Sequence, residues 1–269
     1  MSSTGAGYDY SCGTFSPDGR IFQVEYATKA VENSGTAIGI RCADGVVMAV
    51  EKPIVSKMLV PGSNRRVFGV AAHAGMVVTG YVADGRQIVN RARDEARSYK
   101  ETYGHAIVPS VLANRLALYV HYFTTHGSLR PFGTAAMFAA YDEDVKTHSL
   151  YMVEPSGNCF KYFGCAAGKG AQAAKTEVEK VLYRAGSSGT EITCREAVKE
   201  LARIMHVVRD PSKDKPFELE MGWICEETAW KYGAVPEELV RTADAEGKAS
   251  LTADGAFEEV KSGTEAMEL

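Results

Sequence analysis

The sequence predicts an α+β domain in which two antiparallel sheets face each other and helix pairs cover both outer faces, giving the layer order α-β-β-α. Three observations carry this. Strands and helices come in runs (helix, strands, helix pair, strands, helix pair, strand) instead of alternating one for one, which favours antiparallel sheets. No internal repeat or interdomain linker divides the 269 residues, so one core serves the chain. The hydrophobic fraction, 45%, is ordinary for a globular protein and can fill such a core. The predicted organisation is a preface over residues 1–19, one domain over 20–245 and a polar, disordered tail over 246–269.

Each element has its own signal. The preface contains GYDYSCGTFSPDGR, with Tyr8, Asp9 and Tyr10 ahead of a turn at Ser16-Pro17-Asp18-Gly19. From Arg20 to Glu32, Ile21, Val24, Tyr26, Ala27, Ala30 and Val31 share an apolar face at helical spacing, and Asn33-Ser34-Gly35 ends that helix. Alternation from Gly35 to Glu51 pivots on Ala43-Asp44-Gly45, so a hairpin is expected there. Further strands are expected near Arg66–Val70 and Gly75–Gly80. Two helices follow, one from Val82 with the stripe Ile88, Val89, Ala92, Ala96 and Tyr99, the other after Pro109. A second strand group covers Gly133–Tyr141, Ser149–Val153 and Cys159–Phe163, with a turn at Glu154-Pro155-Ser156-Gly157. Helices at Ala171–Tyr183 and Thr193–Val208 flank a flexible loop, Ala185 to Gly189. A late strand at Phe217–Cys225 and a short helix from Pro236 complete the reading.

Composition bounds the function. A net charge of −4 and a pI near 5.9 leave no basic face for nucleic acid. No apolar run approaches the roughly 18 residues of a membrane helix, and MSSTGAGYDY does not read as a secretory signal. Six cysteines, at 12, 42, 159, 165, 194 and 225, include no C-x-x-C pair and suit a reducing compartment, cytosol or nucleus. With cysteines and histidines dispersed along the chain, neither a metal nor a cofactor is expected.

The candidate chemistry is thin. Gly164-Cys-Ala-Ala-Gly-Lys-Gly170 has three residues between its first two glycines and no hydroxyl after the lysine, so it reads as a tight strand-to-helix turn instead of a phosphate loop. Ser156 lacks the glycine of a nucleophile elbow and leads into a strand. His121 and His126 have no acid and nucleophile beside them in sequence. Glu218 and Glu220 alternate with Phe217, Leu219 and Met221 and mark the solvated side of their strand. Thr36 stands where an N-terminal nucleophile would stand, at the start of the first strand. Such a threonine needs its own free amine as base, and 35 residues that look folded precede it.

The run TFSPDGRIFQVEYATKAVENSGTAIGIRCADGVVMAVEK resembles the opening of alpha-type subunits of the 20S proteasome. The likeness continues through GMVVTGYVADGR, RPFGTAAM and YMVEPSGNCFKYFGCAAGKGAQAAKTEVEK, to about Cys225. Within that family, YDYS, GSNRR and DKPFELEMGWI resemble the alpha type of the seventh ring position. The resemblance implies a four-layer sandwich of the N-terminal nucleophile hydrolase fold in a non-catalytic chain. It implies six other alpha subunits and beta-ring subunits as partners, in ATP- and ubiquitin-dependent protein degradation. In catalytic relatives the processed threonine is supported by an aspartate and a lysine. Here Gly35-Thr36 lies behind a helix, the aspartate position reads Glu51 and the lysine region Arg65-Arg66. A processed threonine hydrolase starting at Thr36 is the alternative.

The resemblance also implies that the preface gates a central pore, with Tyr8, Asp9, Pro17 and Tyr26 matching the cluster that holds the open gate. Tyr10 stands where family members often carry arginine, so a salt bridge from that position is not expected. An activator pocket between neighbouring alpha chains is implied at Gly19, Arg66 and Gly80. There Arg66, in place of a lysine, would meet the terminal carboxylate of an activator such as the regulatory particle. The tail is less acidic than that of its counterparts.

Overall fold

A computed structural model describes residues 7–60, 62–188, 191–210 and 214–250. Chain order explains its layers. After helix α1 (Phe22–Glu32), strands β1 (Ala37–Arg41) and β2 (Gly45–Pro53) form the hairpin expected at Asp44-Gly45, closed by the Cys42 amide donating to the Gly45 carbonyl at 2.7 Å. Strands β3 (Val67–Ala71) and β4 (Ala74–Gly80) begin a second sheet. Helices α2 (Val82–Tyr103) and α3 (Pro109–Thr125) follow it, then β5 (Thr134–Asp142), β6 (Thr147–Val153) and β7 (Cys159–Tyr162). The chain then changes sheet at Phe163 into β8 (Gly164–Ala167). Helices α4 (Ala171–Ser188) and α5 (Cys194–Val207), strands β9 (Phe217–Cys225) and β10 (Gly233–Ala234), and a helix over residues 237–250, α6, complete the described fold.

One sheet has the order β10-β9-β2-β1-β8 and the other β3-β4-β5-β6-β7, every neighbouring pair antiparallel. Their strands show why both faces are apolar. On β2, Val46, Met48 and Val50 point into the space between the sheets, while Val47 and Ala49 point to α5. On β5, Ala135, Met137 and Ala139 face the other sheet, while Ala136, Phe138 and Ala140 face α2 and α3. A period of two with both phases apolar is the mark of a sheet covered on both sides. The expected α-β-β-α layering is therefore present, with the inter-sheet core closed around Leu150, Met152 and Ile224.

Several boundaries depart from the sequence reading. Gly164–Ala167 is a strand and not part of a turn: it pairs with β1 from Ala37↔Ala167 to Ile40↔Gly164. The small residues there are required by α4, since a Cβ on Gly164 would stand 2.5 Å from Val178 Cγ1. Ala185 to Ser188, expected as a loop, continue α4. Residues 246–250, assigned to the tail, are helical, and buried Gly247 lies against the α5 backbone at Ala202 and Arg203. Residues 251–269 lie outside the described residues. Where α5 begins, Thr193 and Glu196 form a reciprocal capping box.

One ion pair ties the loop after α3 to the first turn of α2. Arg130 donates to both carboxylate oxygens of Asp84, at 2.6 and 2.8 Å, and the Gly133 amide donates to the same group at 2.9 Å. Arg130, against the opposing cost of burial and with help from the Gly133 amide, holds the Asp84 carboxyl below the usual carboxylate range. A lowered folded pKa contributes stability above the unfolded value, and that contribution fades as pH falls through the folded one. Because Arg130 is largely exposed, its end of the pair is screened. Asp84→Asn is expected to cost about 1–2 kcal/mol at neutral pH. In urea titrations of both chains, the deficit should be constant above about pH 5 and shrink below about pH 4.

Candidate functional site

Thr36 lies at the mouth of β1, 2% exposed, with its amide, carbonyl and hydroxyl all hydrogen-bonded within its own chain. Its amide donates to Glu51 Oε2 at 3.1 Å, and its carbonyl accepts the Glu51 amide at 2.8 Å. Its hydroxyl accepts the Gly170 amide at 3.1 Å. Gly168 makes this wrap possible. It sits at φ +99°, and a Cβ there would come within 2.4 Å of the Gly35 carbonyl oxygen. The neighbouring Lys169 amide donates to the Ser34 carbonyl at 2.9 Å. A cleft of about 540 Å³ opens beside these residues, lined also by Arg209 and Lys215.

The cleft has the position of an active centre without its chemistry. The nitrogen of Thr36 is a peptide amide, so it cannot take a proton from the hydroxyl. Among the described residues no side-chain base contacts Thr36 Oγ1. Lys169, the nearest candidate cation on the loop, is paired with Asp214, which raises the lysine's pKa. Glu51 binds the Thr36 backbone instead of orienting a catalytic amine.

Arg66 does not line this cleft but is linked to it through Gly80 and Thr79. Its amide donates to Glu220 Oε2 at 2.9 Å, and one guanidinium nitrogen reaches the Gly80 carbonyl at 3.4 Å. Its Nε is buried with no hydrogen-bond partner. Burial lowers the Arg66 pKa, partly offset by Glu220 and Glu51. Thr79, beside Gly80, contacts both the Gly35 carbonyl and the Ser34 hydroxyl, which joins the Arg66 region to the rim of the cleft. Of the two glycines implied at the activator pocket, Gly80 is needed by the fold itself: a Cβ there would stand 2.3 Å from the Gly133 carbonyl oxygen. Gly19 closes the Ser16 turn at φ +74° with open space around it.

The preface is anchored. Cys12 is buried with its thiol 3.6 Å from the Leu129 carbonyl oxygen, and Ser11 lies over Gly127. The Gln23 side chain on α1 donates to the Asp9 carbonyl. Tyr8, Pro17 and Tyr26 are exposed and Asp9 is half-buried. Tyr26 packs against Phe22, with ring centroids 6.2 Å apart. Asp9 is thus brought to α1, one helical turn from Tyr26, while among the described residues no side-chain hydrogen bond or ring contact joins Tyr8 or Pro17 to them.

Sequence reasoning missed one constellation. Cys42, Asp44 and Cys194, separated by up to 152 positions, bring their donor atoms within 4.8 Å of one another. Spacing along the chain carries no such signal, because the three meet only when α5 docks on the β1–β2 turn. Cys42 beside it, together with burial, drives the Cys194 thiol pKa far up.

Two family patterns match the chain. The N-terminal signature of A-type proteasome subunits covers residues 8–30, and the proteasome subunit pattern covers residues 31–224. The alpha type-3 proteasome subunit of Arabidopsis thaliana is 54% identical over 251 residues, covering 93% of this chain and 98% of the relative. The alpha type-3 subunit of Dictyostelium discoideum is 51% identical with the same coverage. That of Drosophila melanogaster is 44% identical over 93% of this chain and 96% of its own length.

Removing the Thr36 hydroxyl should therefore act on stability alone. Thr36→Ala forfeits one acceptor for the Gly170 amide, about 1 kcal/mol, or roughly 2–4 °C in thermal midpoint. N-terminal sequencing of the mature chain should find a start ahead of Thr36.

Proposed function

The chain belongs to the proteasome subunit family, on its alpha-type side, and from that premise we propose that it is a non-catalytic member of an alpha ring whose preface gates substrate entry. The single observation that carries this reading is the state of Thr36. Its nitrogen is tied into the backbone behind α1 and bonded to Glu51, while the segment ahead of it is anchored in place. A catalytic chain would need that segment removed. A gating chain needs it kept.

The partners follow from the family: six other alpha subunits in the ring and beta-ring subunits below it. Degradation would be ATP- and ubiquitin-dependent, and the six free thiols suit the cytosol and nucleus. Tyr8, Asp9, Pro17 and Tyr26 are the gate residues of this reading. What supports them is their placement on or beside α1, with Tyr8 and Tyr26 offering rings and hydroxyls to neighbouring chains. Gly19, Arg66 and Gly80 form this chain's side of a pocket for activator tails, including those of the regulatory particle. What supports Arg66 there is its guanidinium, held at the Gly80 carbonyl, a group whose fork geometry suits a terminal carboxylate.

The test uses assembled particles purified through this chain. Native mass spectrometry should find the intact chain together with other alpha and beta chains. Deletion through Tyr10 should raise unstimulated peptide hydrolysis several-fold while leaving the particle intact. Arg66→Ala should leave that unstimulated rate unchanged and lower its stimulation by an activator bearing C-terminal tails. A lone chain that hydrolyses peptides from a start at Thr36 would sink the proposal.

A further inference from the structure

We propose that Cys42, Asp44 and Cys194 form a binding site for one thiophilic divalent cation of the Zn²⁺ class. The three side chains come from two elements that meet where the central strands of the first sheet end. Cys42 and Asp44 flank the β1–β2 turn, and Cys194 opens α5. Both cysteines are almost completely buried, at 3% and 1% exposed. Tetrahedral zinc with Zn–S bonds of about 2.3 Å separates two sulfurs by about 3.8 Å. The observed separation, within 4.8 Å for all three donors, needs only small side-chain rotations to reach that.

The carboxylate decides between this reading and a simple thiol pair. Two cysteines suffice for a disulfide, whereas a third, anionic oxygen in the same small volume is what a metal centre uses. Asp44 is already oriented, since its Oδ1 accepts the Cys194 amide at 2.7 Å. The backbone of Cys42 is fixed as well, with His148 Nε2 lying 2.7 Å from its carbonyl oxygen. Outer contacts of this kind hold ligands in register in known metal sites. A cavity of about 280 Å³, lined by Arg41, Cys42, Phe163, Leu182 and Ile192 among others, reaches the Cys42 end and gives a path for the ion and for water as fourth ligand.

Binding is balanced as one dication displacing two thiol protons. The products are two metal–sulfur bonds, one metal–carboxylate bond and two protons released to buffer. The ion would cross-link the β1–β2 turn to the start of α5, and so couple the inner sheet to its helical cover.

Co²⁺ is the probe, added to the full-length chain reduced with a phosphine. The expected result is one equivalent bound per chain, with sulfur-to-cobalt charge transfer and intense tetrahedral ligand-field bands. Calorimetry in buffers of different ionisation enthalpy should count two protons released. Cys42→Ser and Cys194→Ser should each weaken binding by at least ~100-fold, and Asp44→Asn by ~10-fold or more with the sulfur band retained. Circular dichroism of each variant separates loss of the site from loss of the fold; if Cys194→Ser does not fold, Cys42→Ser and Asp44→Asn carry the comparison. Equal uptake by wild type and Cys42→Ser would mean scattered surface binding and overturn the proposal. So would a reduced chain that takes up no Co²⁺ and on exposure to air forms only a Cys42–Cys194 bridge.

Discussion

The contact between the two sheets is the constraint on which the rest of the molecule depends. It is made by alternate residues of β2, β4, β5 and β6, and it leaves the other alternate residues apolar and facing outward. Those outer faces cannot meet water without forfeiting roughly 25 cal/mol for each Å² left uncovered. The helices are the answer to that demand, two on each face. Their close approach explains the small residues of the outer layers: Gly85 in α2 abuts Val78 of β4, and Gly164 abuts Val178 of α4. Between the sheets, Gly39 admits the Leu150 side chain, where an added Cβ would meet both methyl groups at 3.0 Å. Fold and glycine placement are thus one requirement seen at two scales.

That requirement sets what was legible in advance. Where periodicity, caps and turn residues agree, as in β9, α5 and the Asp44-Gly45 hairpin, local sequence places the element within a residue or so. It misleads where a glycine serves packing instead of a turn. Gly164 belongs to β8 because α4 needs the space, and Gly186 stays helical within α4 although its type favours a break. The helix at 237–250 is hard to see in so polar a sequence because its anchoring residues are sparse, yet they hold it to its end: Leu239, Val240 and Ala243 join the cluster of α5 and the first sheet, Gly247 lies against α5, and His206 bonds Asp244. The candidate site divides in the same way. Thr36, Glu51 and Gly80 could be singled out by position and by family likeness, whereas the meeting of Cys42 with Cys194 is purely tertiary.

The cleft at Thr36 is best understood as a consequence of closure. The strand start, Lys169 and Gly170, and Arg209, Asp210, Asp214 and Lys215 converge there through the packing of the backbone. Geometry alone therefore makes no catalyst. What decides is a single covalent fact, whether the nitrogen of Thr36 is an amine or an amide, since only the former can receive the hydroxyl proton. In this chain the amide is also hydrogen-bonded to Glu51, so the residues that would tune an active centre are committed to holding the backbone.

The preface gives the last step. Ordering a free peptide costs about 1–2 kcal/mol per residue, which any partner would have to overcome on binding it. Here the cost is met inside the chain. Arg130 and Asp84 fix the loop leading to β5, that loop holds Ser11 and Cys12, and α1 holds the Asp9 carbonyl through Gln23. The backbone from Gly7 onward is set before any neighbour arrives, while Tyr8 at 40% and Tyr10 at 87% remain exposed. Aromatic groups on a fixed backbone, with only two side-chain torsions each to immobilise, are well suited to contacts that must form and release repeatedly. The gating role proposed for this segment would need that balance: contacts weak enough to yield, carried on a support that does not have to refold each time they do.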